Sequence, residues 1–280
     1  MQKSLKKYFP VFALPTVAAF CVSFLIPFVM GIYLSFCKFT TIKKVSFVGI
    51  KNFVAIFADE GFLNALWFTV KFTVVSVITI NVLAFVLAYI LTRGLKGTNL
   101  FRTTFFTPNL IGGIVLGYIW QIIINGVLKY FDVTITYSAK YGFWGLVILM
   151  NWQLIGYMMI IYIAGIQNIP KDLIDSAAVD GAGRLKTLTN VTIPMVMPSV
   201  TICLFLTLTN SFKLFDQNYA LTDGAPNGET QMLALNIFKS FYNTSGSKGT
   251  GQAKAVIFFL IVGVIAFIQL VATRNKEVES

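Results

Sequence analysis

The sequence predicts an all-α polytopic membrane protein with six transmembrane helices, and three observations predict it. Hydrophobic residues make up 56% of the 280-residue chain and charged residues only 12%, against roughly 25% charged in an ordinary soluble domain. The apolar residues are gathered into about six runs near or above the ~18 residues needed to cross a bilayer. The basic residues behind the net charge of +11 flank those runs, which points to lipid headgroups and topology rather than nucleic acid.

Composition also excludes chemistry. The chain has no histidine, so it lacks the commonest general base and metal ligand. No metal site and no catalytic set are expected, and the reading is of a protein that is not an enzyme. Cys21, Cys37 and Cys203 are odd in number, and two lie inside apolar runs, so they read as small apolar fillers rather than a disulfide framework. No Gly-rich Lys-Ser/Thr phosphate loop is present, so the chain does not hydrolyse ATP itself.

The chain is read as one membrane domain over residues 1–280, with spans in order. Residues 11–36 form the first span, kinked by Pro15 and Pro27. The run follows Lys3, Lys6 and Lys7, and it is too long for a signal-peptide core. Residues 37–61 are a loop holding Phe47-Val48-Gly49-Ile50-Lys51-Asn52-Phe53, an aromatic segment suited to the membrane interface. The second span is 62–91. Lys71 lies within it, close enough to one end to snorkel, or else functional. Residues 92–102 are a short basic loop with Arg93, Lys96 and Arg102. The third span, 105–124, carries Pro108 near its start and Gly112, Gly113 and Gly117 at close-packing spacing, followed by Tyr118, Trp120 and Gln121. After a loop to Tyr141, the fourth span is 143–166. Its middle is polar: Asn151, Trp152, Gln153 and Tyr157 either line a cavity for a hydroxylated ligand or join helices by hydrogen bonds.

Residues 169–194 separate the fourth and fifth spans. Leu173, Ile174, Ala177, Ala178 and Gly181 recur at spacings of three and four, so they share one mostly small helical face. Pro170 suits a first helical turn. Gly181 and Gly183 permit a sharp break, and Arg184, Lys186 and Pro194 follow. A short helix, a turn and a second short piece are expected. The fifth span, 195–215, has Pro198 near its start and ends in Asn210-Ser211-Phe212-Lys213-Leu214-Phe215-Asp216, where Lys213 and Asp216 are spaced to pair on one face. Leu221-Thr222-Asp223-Gly224-Ala225-Pro226 marks a turn. Residues 217–254 form the longest polar loop, either a flexible solvated loop or a docking surface. The sixth span is 255–271, followed by Arg274 and Lys276.

Several of these stretches carry a resemblance. Ala177-Ala178-Val179-Asp180-Gly181-Ala182, with Pro194 about a dozen residues on, resembles the EAA loop of ABC-importer permease subunits. Ser176 stands where that family has its Glu, with Asp175 one residue earlier. The Phe47–Phe53 segment, the Ser211–Asp216 end of the fifth span, the Leu221–Pro226 turn and the Ile26–Phe36 segment are similar to signatures of carbohydrate-type permeases.

The resemblance implies a type I importer permease fold with a cytoplasmic coupling helix in 169–194. It implies that Asp175, Ser176, Ala177, Ala178, Asp180, Gly181, Ala182, Arg184 and Pro194 couple to an ATPase. It further implies several partners: a cytoplasmic ABC ATPase dimer that binds ATP and Mg, a second and non-identical permease chain, an extracellular or periplasmic sugar-binding protein, and membrane lipid. Candidate cavity residues are Tyr118, Asn151, Trp152, Gln153, Tyr157, Asn210, Ser211 and Phe212. The substrate implied is a sugar or oligosaccharide, which fits the scarcity of charge within the spans. A glycerol-phosphate-type substrate would instead call for basic residues facing the cavity.

Six spans put both termini on one side. The number of basic residues barely separates the two orientations. Those beside the EAA-like loop lie in short segments at span ends, where the positive-inside rule applies, so both termini are expected in the cytoplasm of a bacterial cell whose inner membrane the chain crosses. Two rivals are weaker on the residues. A secondary transporter needs coupling-ion sites, commonly acidic groups at mid-membrane, and no Asp or Glu lies in the middle of any span. An intramembrane enzyme has no catalytic set to draw on. A scaffold subunit of another complex is the third alternative.

Overall fold

The computed structural model describes residues 2–41, 44–242 and 248–274. Lys276 lies outside the described residues, as do the side chains of Lys3, Lys6 and Lys7. In chain order the elements are α1 (Gln2–Phe20), a π-helical turn (Cys21–Leu25), α2 (Ile26–Ser35), β1 (Cys37–Phe39), β2 (Val45–Phe47), α3 (Lys51–Phe57), α4 (Glu60–Leu91), α5 (Thr98–Phe106), a 3-10 turn (Thr107–Leu110), α6 (Gly113–Leu128), a 3-10 turn (Lys129–Phe131), α7 (Ala139–Gln167), α8 (Lys171–Val179), α9 (Arg184–Thr187), a π-helical turn (Leu188–Thr192), α10 (Ile193–Met195), α11 (Met197–Phe212), α12 (Asp216–Leu221), α13 (Leu233–Tyr242) and α14 (Lys248–Arg274). The backbone groups into two compact units, residues 1–60 with 237–259, and residues 61–236 with 260–280.

In the first unit, Pro27 has no N–H to donate and its ring would crowd the carbonyl four residues back. The chain widens there instead: the Ile26 N–H bonds the Cys21 carbonyl across a π turn, a common way to absorb such a defect. β1 and β2 pair antiparallel, Cys37 opposite Phe47. Gly49 (φ +62°) turns the chain into α3. The buried Asn52 then donates to the carbonyls of Ser35 (2.8 Å) and Cys37 (2.9 Å), so the aromatic segment 47–53 is anchored by its amide. Its apolar side chains Phe47 and Ile50 stay exposed, as do Val54 and Phe57 just beyond it, as an interfacial segment requires. Lys254, placed in a solvated loop by sequence, is buried. Its Nζ lies 2.7 Å from Asp59 Oδ2 and donates to Ser240 Oγ at 2.7 Å.

The second unit is built around α7, whose buried residues include Leu146, Met150, Gln153, Gly156, Met159 and Tyr162. α5, α6, α11 and α12 all pack on it. Close approach explains its glycines. A Cβ on Gly156 would fall on the Phe105 carbonyl, and one on Gly145 would come within 2.6 Å of Ile135. α4, α7 and α11 are tied by a buried polar knot. Tyr162 Oη donates to Asn81 Oδ1 (2.8 Å), Asn81 Nδ2 to Thr207 Oγ1 (3.2 Å), and Thr207 Oγ1 to its own helix at the Cys203 carbonyl (2.7 Å).

Four boundaries differ from the expectation. The third span begins at Gly113 rather than at residue 105. Pro108 sits in a 3-10 turn, and Ile111 is extended, so residues 98–106 form the separate helix α5 where a loop was expected. Gly113 and Gly117 meet Asp216 and Ala220 of α12, while Gly112 has open space around it and starts the helix instead. The fifth span is broken: Arg184–Met195 and Met197–Phe212 meet at 69°. Pro198 removes the bond to the carbonyl of Pro194 and crowds it, and the 16 residues of α11 reach only about 24 Å. Among the described residues five helices are long and apolar enough to cross a membrane, and the bent pair, counted as one span, makes a sixth.

The fourth difference is at 216–242, expected to be solvated. Asn218 is buried and organises this stretch. It donates to the Thr230 carbonyl (2.8 Å) and Thr222 Oγ1 (3.0 Å), and accepts from the Met232 N–H (2.9 Å). Residues 243–247 of that expected loop lie outside the described residues. Lys213 lies just past the end of α11 at Phe212, and Asp216 opens α12, so no single helix carries both. The one-face pairing expected of them is not formed.

Gly156→Ala should be strongly destabilising, because the obstructing atom is backbone and cannot move aside. Overpacking of this kind costs about 1–3 kcal/mol or more. Gly263→Ala, with nothing near its missing Cβ, serves as the control. Thermal unfolding in detergent should show a clear drop for the first variant and none for the second.

Candidate functional site: the 169–194 segment and the polar face of α7

The 169–194 segment follows directly from the C-terminal end of α7. Pro170 is the residue before the first helical position of α8, with φ −56° and ψ 130°. The far end of α8 is closed by a paired cap. The Gly181 N–H bonds the Ala178 carbonyl (3.1 Å), and the Ala182 N–H bonds the Ala177 carbonyl (2.9 Å). Gly181 has φ +72°, the left-handed conformation this cap demands and glycine adopts freely. Gly183 then starts α9. The DGAG stretch is therefore a short, well-defined reversal between two helical pieces, as its glycines suggested.

Burial sorts the coupling residues. Asp175, Ser176, Ala178, Asp180, Gly181 and Arg184 are exposed; Ala177, Ala182 and Pro194 are half-buried. Leu173 and Ala178 of the small face are exposed, while Ile174 and Ala177 turn inward. Sequence reasoning passed over the two most exposed apolar side chains of the segment, Val179 (87%) and Leu185 (74%). They flank the reversal and project from its tip. Asp175 lines a crevice of about 450 Å³ together with Arg93, Lys171 and Gln167, and the Arg93 guanidinium lies 4.4 Å from the Tyr89 ring centre. Ser176 is exposed and takes no part in that lining.

The cavity candidates separate into two groups. Ser211 and Phe212 are buried in helix packing, Ser211 donating to the Thr207 carbonyl (2.8 Å). Asn151 donates to Thr79 Oγ1 on α4 (2.9 Å) and to the Val147 carbonyl (2.8 Å), so it joins helices. Gln153 is buried and accepts from Gln217 Nε2 (2.8 Å), linking α7 to α12. Tyr157 is half-buried with its ring 6.4 Å from Phe106. Trp152 and Tyr118 are exposed, as is Asn210, and Trp152 meets Trp120 edge-on at 5.7 Å. Gln217, Asn81 and Asn218 were missed. Asn81 is a lone amide inside an apolar run, and Gln217 and Asn218 are adjacent amides just past one, which is the one signal the sequence offers for them.

These elements make up a multi-pass helical chain with a capped, exposed reversal after α7. Residues 93–276 match the family described as binding-protein-dependent transport system inner membrane component, and the chain belongs to that family. It is 45% identical over 277 residues to the probable starch degradation products transport system permease protein AmyD of Thermoanaerobacterium thermosulfurigenes, covering 96% of this chain and 94% of that one. It is 28% identical to the multiple sugar-binding transport system permease protein MsmF of Streptococcus mutans, with 99% of each covered. Among solved structures, a bacterial ABC transporter involved in the import of the acidic polysaccharide alginate aligns at a TM-score of 0.82 and 19% identity, covering 98% of both chains. The type I importer fold expected from the EAA-like segment is thus the fold observed.

Gly181→Val should distort the reversal. The reason is the left-handed backbone, which costs a non-glycine residue roughly 1–2 kcal/mol, and not crowding by neighbours, since nothing lies within 4 Å of the missing Cβ. Gly181→Asn, which tolerates this conformation, should largely restore function. Membrane insertion should be normal in both variants. ATP-dependent uptake by the assembled transporter should be strongly reduced for Val and near wild type for Asn.

Proposed function

We propose that this chain is one permease half of an ATP-driven importer of sugars or oligosaccharides, acting as a single permease domain. The observation that carries the reading is the rigid reversal at Asp180–Ala182, presented on exposed Val179 and Leu185 at the end of the central helix, in a chain whose relatives carry starch-product and multiple-sugar names. A cytoplasmic ATPase dimer, holding ATP and Mg in its own subunits, docks on this segment. Asp175, Ser176, Ala177, Ala178, Asp180, Gly181, Ala182, Arg184 and Pro194 form or support the docked surface. Closure of the ATPase pair moves the segment, and α7 carries that movement to the elements packed on it, so the substrate path opens alternately to either side.

In this reading both termini lie in the cytoplasm of a bacterial cell, a second and non-identical permease chain completes the path, and a binding protein delivers the sugar from outside. Trp152, Tyr118 and Asn210 are the exposed members of the candidate cavity set, and they supply a stacking face and hydrogen-bonding edges. Asn151, Gln153 and Tyr157 position that face from behind, and Ser211 and Phe212 hold α11 against α7.

Reconstitution in proteoliposomes tests the reading. The chain alone should transport nothing. With its ATPase, the second permease and the binding protein, radiolabelled maltooligosaccharide should accumulate only when ATP is supplied. Uptake by the isolated chain driven by a sodium or proton gradient would instead establish a secondary transporter.

A further inference from the structure

A cavity of about 620 Å³ lies at the N-terminal ends of α4 and α7, lined among others by Asn64, Trp67, Lys71, Lys140, Glu229 and Gln231. Both helices run from here toward the 169–194 segment, and the 29 residues of α7 put about 43 Å between its two ends. The cavity therefore sits at the opposite end of α7 from the reversal, and its α7 lining at Phe143 lies about 12 Å short of Asn151 along the helix.

Its size falls in the range of small-molecule sites, roughly 300–1,000 Å³. Its chemistry is specific. Trp67 is 62% exposed, so a broad indole surface is open to a ligand. The Lys71 ammonium lies 5.7 Å from the Trp67 ring centre, which orders one side of the ring. Among the described residues Lys71, Lys140 and Glu229 form no ion pair, so three charged heads remain available to hydroxyl groups. An aromatic face beside amides and unpaired charged heads matches a sugar ring, which offers an apolar C–H face and a rim of hydroxyls.

The wall facing α4 is held in advance. Thr230 donates to the Ala225 carbonyl (2.6 Å) and its hydroxyl oxygen lies 3.0 Å from Thr222 Oγ1, and the Leu233 N–H donates to Thr69 Oγ1 (2.8 Å), two residues from both Trp67 and Lys71 on α4. Gln231 Oε1 is held by Asn236 Nδ2 (2.8 Å). A fixed wall lowers the ordering cost of binding.

We propose that this cavity is an accessory sugar-binding subsite, in which Trp67 stacks on one ring of the incoming oligosaccharide while Asn64, Gln231 and the charged heads hold its hydroxyls. The proposal rests on the sugar-import reading and extends it: a chain of several rings is gripped at the outer mouth while another part advances along the path.

The test uses full-length protein in lipid nanodiscs, titrated with maltohexaose as the probe. Wild type should bind saturably. Trp67→Ala should weaken binding at least tenfold, Asn64→Ala about threefold, and Trp67→Tyr, which keeps a stacking face, should stay within about threefold of wild type. Tyr130→Ala, which removes an exposed aromatic outside the cavity, should change nothing. Monodispersity and thermal unfolding check that each variant is folded. No saturable binding by wild type, or binding that Trp67→Ala and Asn64→Ala leave intact, overturns the proposal. Normal ATP-dependent uptake by the wild-type assembly alongside either of those results removes the subsite alone, whereas absent uptake counts against the import reading itself.

Discussion

The larger unit depends on how closely other elements approach α7. Its glycines at 142, 145, 156 and 165 stand where Thr230, Ile135, Phe105 and Ser199 press against the helix. Lipid tails are as apolar as leucine, so burying apolar surface between helices brings little gain in a membrane. Close backbone approach and polar joints must supply the specificity. The Asn81–Tyr162–Thr207 knot provides such a joint among α4, α7 and α11. Interhelical hydrogen bonds of this kind average only about 0.6 kcal/mol each in membrane proteins, so the knot sets register more than it adds stability.

The same logic bears on the 26-residue stretch, Ile169 to Pro194, proposed above as the docking lever. A docking element transmits force only if it does not yield. α8 is short, and its stiffness comes from the paired cap at Gly181 and from packing on α9 and the turn that follows it. The turn residues thus hold a shape and leave the apolar side chains of Val179 and Leu185 exposed. Asp175, facing the crevice with Arg93 and Lys171, belongs to the inner side of this element, while Ser176 faces away from it.

Much of the fold was legible. Run length and composition specify the spans, because a bilayer demands about twenty apolar residues for each helical crossing. The EAA-like motif located the reversal, because only glycine adopts the left-handed turn freely at Gly181. Less was legible where two apolar environments compete. Ser211 and Trp152 both lie in apolar runs, yet one is buried against Met150 and Thr207 and the other is exposed. Lys254 read as a loop residue, although it is buried and the partly exposed Asp59 carboxylate and the Ser240 hydroxyl receive it.

By itself the sequence determined the class, the number of apolar runs, the family and the position of the glycine reversal, since each follows from run length, from motif or from local backbone demands. Only the tertiary structure decided which side chains face other helices, where the fifth span bends, and that residues 216–236 fold onto α6 and α7 instead of hanging in water. The physical reason is that in a bilayer both faces of a helix are apolar. Hydrophobic periodicity, which separates inside from outside in a soluble protein, loses its contrast, and close packing with a few polar partners decides the rest.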